Sequence, residues 1–193
     1  MTFDEEASCN EQKSNPSECE NILVYKQASI NPTGGIIGLL YKQNVNTMIY
    51  QEAWFTAAVE YIWRYFEQEQ PRGYHDGIHW ITFLQHTHDR EQAGKYWPAI
   101  GEWLKHHGTI ERNPYAVGYT HKVLDWAPHP GSYASRHISN DDVENHLRAL
   151  IAQQQEDGGW PINWLPLSTG AEAEWRGWIT VKRLKTLASY GML

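Results

Sequence analysis

Apolar residues recur at three- and four-residue intervals in paired segments that begin near residues 31, 75 and 140, and that spacing restricts the chain to amphipathic helices. Asn31-Pro32 opens the first segment: Asn is a good N-cap, and Pro at the first helical position loses no hydrogen bond. Ile36, Ile37, Leu39 and Leu40 then make the helix over 33–43 apolar nearly all round despite Gly34, Gly35 and Gly38. Glycines inside a helix cost propensity, so these three predict close approach to a neighbour. The segment 52–67 places Phe55, Val59, Ile62 and Phe66 on one stripe, widened by Trp54, Tyr61 and Tyr65, and is the outer partner of that helix.

Pro71 and Gly73 mark a turn, after which Trp80, Ile81, Phe83 and Leu84 carry a helix over 76–87. Asp89 with Gln92 has the spacing of a capping box, and the helix it starts ends at Lys105-His106-His107-Gly108, a basic last turn with a glycine stop. Residues 109–138 lack a sustained period and hold Pro114, Pro128 and Pro130 with Gly118 and Gly131. A loop this long is often a lid or binding segment. The third pair starts at Ser139-Asn140-Asp141-Asp142 and returns through a closing helix over 180–190. Between its arms lies Gln153-Gln154-Gln155-Glu156-Asp157-Gly158-Gly159-Trp160-Pro161, a reversal plugged by a tryptophan. The expected fold class is all-α, a stack of helical hairpins with a long insertion before the last copy.

Charge narrows the partners. The formal net charge is −7; residues 1–20 carry −5 of it, from six acidic residues against Lys13, so 21–193 hold −2. The expected organisation is therefore a disordered acidic tail over 1–20 and one helical domain over 21–193. No basic stripe is present to neutralise phosphates, so no nucleic-acid partner is expected. No run of about 18 apolar residues exists and the first twenty residues lack a secretory pattern, so a cytoplasmic protein with no membrane span is expected. Cys9 and Cys19 both lie in the tail, which leaves the domain without thiol ligands. The surplus is aromatic and imidazole, with 10 Trp, 11 Tyr and 10 His, the material of an aromatic wall or core.

Five stretches carry a family resemblance: Ala28-Ser29-Ile30-Asn31-Pro32-Thr33, Tyr74-His75-Asp76, Leu124-Asp125-Trp126-Ala127-Pro128, Asp157-Gly158-Gly159-Trp160-Pro161 and Glu174-Trp175-Arg176-Gly177. The Gln155 to Trp160 turn resembles the QW-type motif of triterpene cyclases and the DGGW turns of prenyltransferase-like toroids. Residues 28–193 resemble the C-terminal part of bacterial proteins called prenyltransferase-like or squalene-cyclase-like. The resemblance implies an α/α toroid whose inner helices line a cavity for an isoprenoid or other apolar ligand. The hairpins here are about half of what such a toroid uses, so it also implies a half barrel, completed by a second copy or a partner domain. Where that superfamily's acid motif has Asp-X-Asp-Asp, this chain has Ser139-Asn140-Asp141-Asp142, a pattern that also caps a helix. The Asp, Cys and His zinc set of protein prenyltransferases has no cysteine to draw on in the domain.

The candidate chemistry lies elsewhere. His75 and Asp76 are candidates for proton transfer, and Asp76 alternatively caps the helix it opens. His75 and His79 stand four apart, the spacing at which two imidazoles can share a metal, although no metal or cofactor is the expected outcome. Asp125, between Leu124 and Trp126, is a candidate general acid or a turn former before Pro128. Trp80, Phe83 and Trp126 are candidate aromatic contacts to the ligand. Glu174 and Arg176 either hold a polar or anionic end of the ligand or tie the structure together. Three functions remain open at this level: a terpene-cyclase- or prenyltransferase-like protein, a non-catalytic helical module that self-associates or binds a partner protein, and a carbohydrate-active barrel whose paired carboxylates, Asp76 and Glu174, face each other across the cavity.

Overall fold

The computed structural model describes residues 29–44 and 47–193, which are helical with no strand among them. The acidic segment 1–20 and both cysteines lie outside the described residues. Seven α-helices are ordered along the described chain: α1 (Ile30–Gln43), α2 (Ala53–Gln68), α3 (Tyr74–His86), α4 (Arg90–Lys105), α5 (Val123–Trp126), α6 (Asn140–Ala152) and α7 (Thr169–Ser189), with 3-10 turns at Thr47–Gln51 and Tyr133–His137. None is long and apolar enough to cross a membrane.

The glycines of α1 form a cradle for α3. A Cβ on Gly35 would stand 2.1 Å from His79 Nδ1, and one on Gly38 would stand 2.7 Å from the Thr82 carbonyl oxygen. With no side chains in the way, α1 packs directly on α3, and α2 closes over both. Phe66 of α2 stacks on Trp80 at 3.7 Å, while Phe83 meets Trp63 edge-on at 4.9 Å and Tyr41 of α1 at 6.3 Å. The apolar face of α3 is thereby filled by protein, and Trp80 and Phe83 belong to the core.

Caps set the helix starts. Asp89 Oδ1 accepts from the Gln92 N–H at 2.9 Å and Ser139 Oγ from the Asp142 N–H at 3.0 Å, so the Ser139 to Asp142 string is a cap; Asp142 is also ion-paired with Arg112. At the first helix the cap is Ser29 rather than the expected Asn31: Ser29 Oγ accepts from the Asn31 N–H at 3.2 Å, and Asn31, within the helix, departs from helical geometry.

Two further expectations change. The closing helix starts at Thr169 rather than near 180: Ser168 Oγ accepts from the Ala171 N–H at 3.1 Å, a cap that starts the helix eleven residues early. Glu174, Trp175, Arg176 and Gly177 are therefore helical. The segment 109–138 is also less irregular than its prolines suggest. It contains α5, whose capping box is closed by Asp125 Oδ2 accepting from the Lys122 N–H at 2.9 Å, and the turn Tyr133–His137.

The reversal between α6 and α7 is a clasp. Gln155 N–H donates to the Gly159 carbonyl at 2.9 Å, and Gly158, at φ 82°, donates to the Gln155 carbonyl at 2.8 Å. Arg176 of α7 reaches across to Gln155 Oε1 at 2.6 Å and Asp157 Oδ2 at 2.8 Å. Trp160 is 2% exposed; its indole N–H donates to the Leu150 carbonyl at 2.7 Å, and its backbone N–H donates to Thr180 Oγ1 at 3.2 Å.

Candidate functional site

One helical face and one loop make the main cleft. On α7, Trp175, Trp178, Ile179, Lys182 and Arg183 recur at three- and four-residue intervals and point the same way. Opposite them stand Tyr74 and His75 from the first turn of α3, with Tyr119, Thr120 and His121 from the long connection. Asn163 and Trp164 close one end, and Asn163 Nδ2 donates to the Gly118 carbonyl at 3.0 Å, fixing that end to the connection. The space enclosed is about 510 Å³, within the range of small-molecule sites.

Its wall is a chain of perpendicular rings: Tyr119 to Trp164 at 6.1 Å, Trp164 to Trp175 at 5.5 Å and Trp175 to Trp178 at 5.6 Å. Trp175 and Trp178 are 46% and 53% exposed. Large indole faces left in water at a concavity suit a ligand with apolar surface.

The facing wall is imidazole and phenol. His75 Nε2 hydrogen-bonds Tyr119 Oη at 2.8 Å, an arrangement that can pass a proton between ring and phenol. His121 stacks on Tyr74 at 3.8 Å, nearly parallel. Burial holds His121 below the ordinary histidine range; the Asp125 charge opposes this, and His75 and Lys182 add to it. Burial, with Asp125 second, pushes the Tyr74 phenol far up, so it stays protonated and donates to the Asp125 carbonyl at 3.1 Å.

Asp125 lies at the floor, its side chain 13% exposed. Both oxygens are engaged: Oδ2 closes the α5 cap, and Oδ1 accepts from Arg183 at 3.0 Å. This carboxylate holds Arg183 and a turn in place. Behind the pair lies a smaller cavity of about 120 Å³, into which the buried His146 projects.

Of the residues singled out from sequence, His75 and Asp125 meet in the cleft. Asp76 does not line it; its Oδ2 accepts from the Arg72 N–H at 3.3 Å, a helix-start contact. Trp126 is buried beneath the floor, edge-on to Tyr74 at 4.9 Å. Trp80 and Phe83 are enclosed by α1 and α2, Arg176 is committed to the clasp, and Glu174 is exposed on α7 away from the cleft lining. His79 turns into the α1 cradle while His75 faces Tyr119. Among the described residues no three His, Cys, Asp or Glu side chains stand close enough to hold a metal ion. Tyr119, His121, Trp164, Trp178, Lys182 and Arg183 were not foreseen as site residues. The spacing of Trp175, Trp178, Ile179, Lys182 and Arg183 was the available signal once Ser168 is read as a cap.

No protein-family profile, curated protein or solved structure matches this chain.

Proposed function

We propose that this chain is a prenyltransferase- or terpene-cyclase-like protein that binds an apolar, isoprenoid-type ligand in the cleft between α3 and α7. The observation that carries the reading is the run of Trp164, Trp175 and Trp178, which meets at Tyr119 the His75–Tyr119 hydrogen bond. The wall supplies apolar contact, and the pair supplies a proton donor and acceptor at the mouth. Glycine-mediated packing of α1 on α3, with α2 outside, accords with an inner and outer helix layer. Asp125 is positioned to support the site through Arg183.

Tryptophan fluorescence is the direct test, because three of the wall residues report on occupancy. Titration with farnesol should quench emission saturably, and Trp178→Ala should weaken binding. Absence of saturable quenching by farnesol and by longer prenyl alcohols would overturn the reading. For chemistry, His75→Ala should abolish turnover in a panel of prenyl substrates while leaving farnesol binding within a few-fold.

A second reading concerns completion of the barrel. Ile36 and Leu39 on the face of α1 away from α3, and Trp54 at the start of α2, are each about half exposed. Such surface favours a second copy or a partner domain covering α1 and α2. Light scattering should give a dimer mass that Ile36→Glu reduces to a monomer; a stable wild-type monomer at high concentration rules out completion by self-association.

A further inference from the structure

Lys182 is the one cleft residue whose setting apolar binding leaves unexplained. It follows Trp178 by one turn of α7, with Nζ 4.5 Å from the indole centroid. Beyond that ring contact its ammonium makes no hydrogen bond and no ion pair among the described residues. The neighbouring cations differ. Arg183 is paired with Asp125, Arg176 with Asp157, and the Lys122 ammonium donates to the Pro114 carbonyl at 2.8 Å. Asp125, the carboxylate whose charge acts on Lys182, has both oxygens engaged by the Lys122 N–H and Arg183.

An ammonium half-buried against the Trp178 indole, next in sequence to a fixed guanidinium and with no carboxylate bonded to it, is costly to keep. Burial accordingly lowers the Lys182 amine from its ordinary value, Asp125 opposes the shift and Arg183 adds to it. An amine lowered in this way loses its proton more readily than a free lysine, and its deprotonated form carries the lone pair that attacks a carbonyl.

We propose that Lys182 is a nucleophilic amine that captures an apolar aldehyde or ketone, held against Trp164, Trp175 and Trp178, as a Schiff base. The proposal rests on the cleft being an apolar-ligand site and names the functional group its ligand carries. In the first step the Nζ lone pair forms a C–N bond to the carbonyl carbon while the C=O π pair moves to oxygen; nitrogen gives up one proton and oxygen takes one, which yields the carbinolamine. In the second, oxygen takes a further proton and leaves as water as the nitrogen lone pair forms the C=N bond, and the iminium nitrogen gives up its remaining proton. Aldehyde and amine thus become imine and water, with no oxidant or reductant. His121 and the His75–Tyr119 pair line the same cleft and serve as proton carriers for the departing oxygen.

The experiment uses the full chain with citral, an isoprenoid aldehyde, and cyanoborohydride to trap any imine, followed by peptide mass mapping. The expected result is a reduced adduct at Lys182 before the exposed Lys42, Lys95, Lys105 and Lys185, and its loss in Lys182→Arg. Labelling that follows exposure alone, with Lys182 no faster than the others, overturns the proposal; because it is read on the wild-type chain, it does not depend on the variant folding. Farnesol, which lacks a carbonyl, separates the two readings. Farnesol that quenches tryptophan emission without any preferred adduct at Lys182 sinks the amine alone. An adduct at Lys182 that farnesol neither competes with nor accompanies by binding keeps the amine and sinks the isoprenoid reading. Failure of both probes sinks both.

Discussion

Replacing Gly38 by alanine tests the central packing contact of the fold. A Cβ built there lies 2.7 Å from the Thr82 carbonyl oxygen, 2.8 Å from the Thr82 carbonyl carbon and 2.9 Å from Phe83 Cα. All three are backbone atoms of α3, so no side chain can swing aside and the helices must separate. Overpacking of this kind costs roughly 1–3 kcal/mol, against a gain of about 1 kcal/mol in helix propensity on exchanging Gly for Ala. Gly94, in the interior of α4, supplies the control: it is exposed and a Cβ there meets nothing within 4 Å. Gly94→Ala has the propensity gain without the clash, so the two variants should differ by the clash itself, roughly 1–3 kcal/mol. Urea unfolding at constant m-value reads that difference, with Gly94→Ala above wild type and Gly38→Ala below it. In a chain of this length, about 2–4 °C of Tm per kcal/mol is the calorimetric counterpart. Equal stability of the two variants would refute the contact between α1 and α3.

Three further outcomes are expected. Trp160→Phe removes the indole N–H that donates to the Leu150 carbonyl, which keeps only the Gln153 N–H at 3.2 Å, and leaves space where the larger ring stood, a loss of about 1–3 kcal/mol in urea unfolding; a neutral effect would mean that neither that bond nor the indole's bulk holds the clasp. Asp125→Asn strips the mostly buried Arg183 of its counter-charge, which should cost about 3 kcal/mol, and Arg183→Met in that background should recover most of it; a loss under about 0.5 kcal/mol would remove the pair from the account of the floor. Stability should fall below about pH 6.5: burial holds His79, His121 and His146 below their ordinary value, so the unfolded chain binds more protons, and stability fully present above the unfolded value is lost as pH falls towards the folded ones. His146→Gln should flatten that slope in urea midpoints, because Nε2 of the buried ring lacks a partner while Nδ1 bonds the Asp142 carbonyl at 2.8 Å; a midpoint flat between neutral and mildly acid pH refutes the assignment.

Local rules were legible residue by residue. The Asp89 and Ser139 caps, the stripe of α2, the close approach permitted by Gly34, Gly35 and Gly38 and the clasp at Gln155 to Trp160 all depend on neighbours within a few turns or on steric demands visible in one segment. The start of α7 was obscured because Gly170 and Gly177 lower helix propensity, while the cap at Ser168 follows a Leu-Pro-Leu run that looks irregular. What periodicity could not distinguish is a face covered by protein from a face covering a ligand. Trp80 and Phe83 have the same spacing in either case, and only the positions of Phe66, Trp63 and Tyr41 decide it. The cleft was illegible for another reason: it joins Tyr74, Tyr119, Trp164 and Lys182, far apart in sequence and brought together by the clasp.

The clasp and the cleft are consequently one mechanical unit. Arg176 and Arg183 stand two turns apart on α7, and each is tied to a different part of the chain: Arg176 to Asp157 in the reversal, Arg183 to Asp125 in α5, midway along the long connection. Between these anchors the same helix presents Trp178, Ile179 and Lys182 to the cleft. Two fixed points two turns apart set both the rotation of α7 about its axis and its distance from α3, since a helix pinned at one end alone could still turn its tryptophans away. Residues whose own contacts are structural thus determine where the aromatic wall and Lys182 stand. The motif that resembles a toroid turn and the residues with chemical potential are separate in sequence because they do separate jobs on one helix.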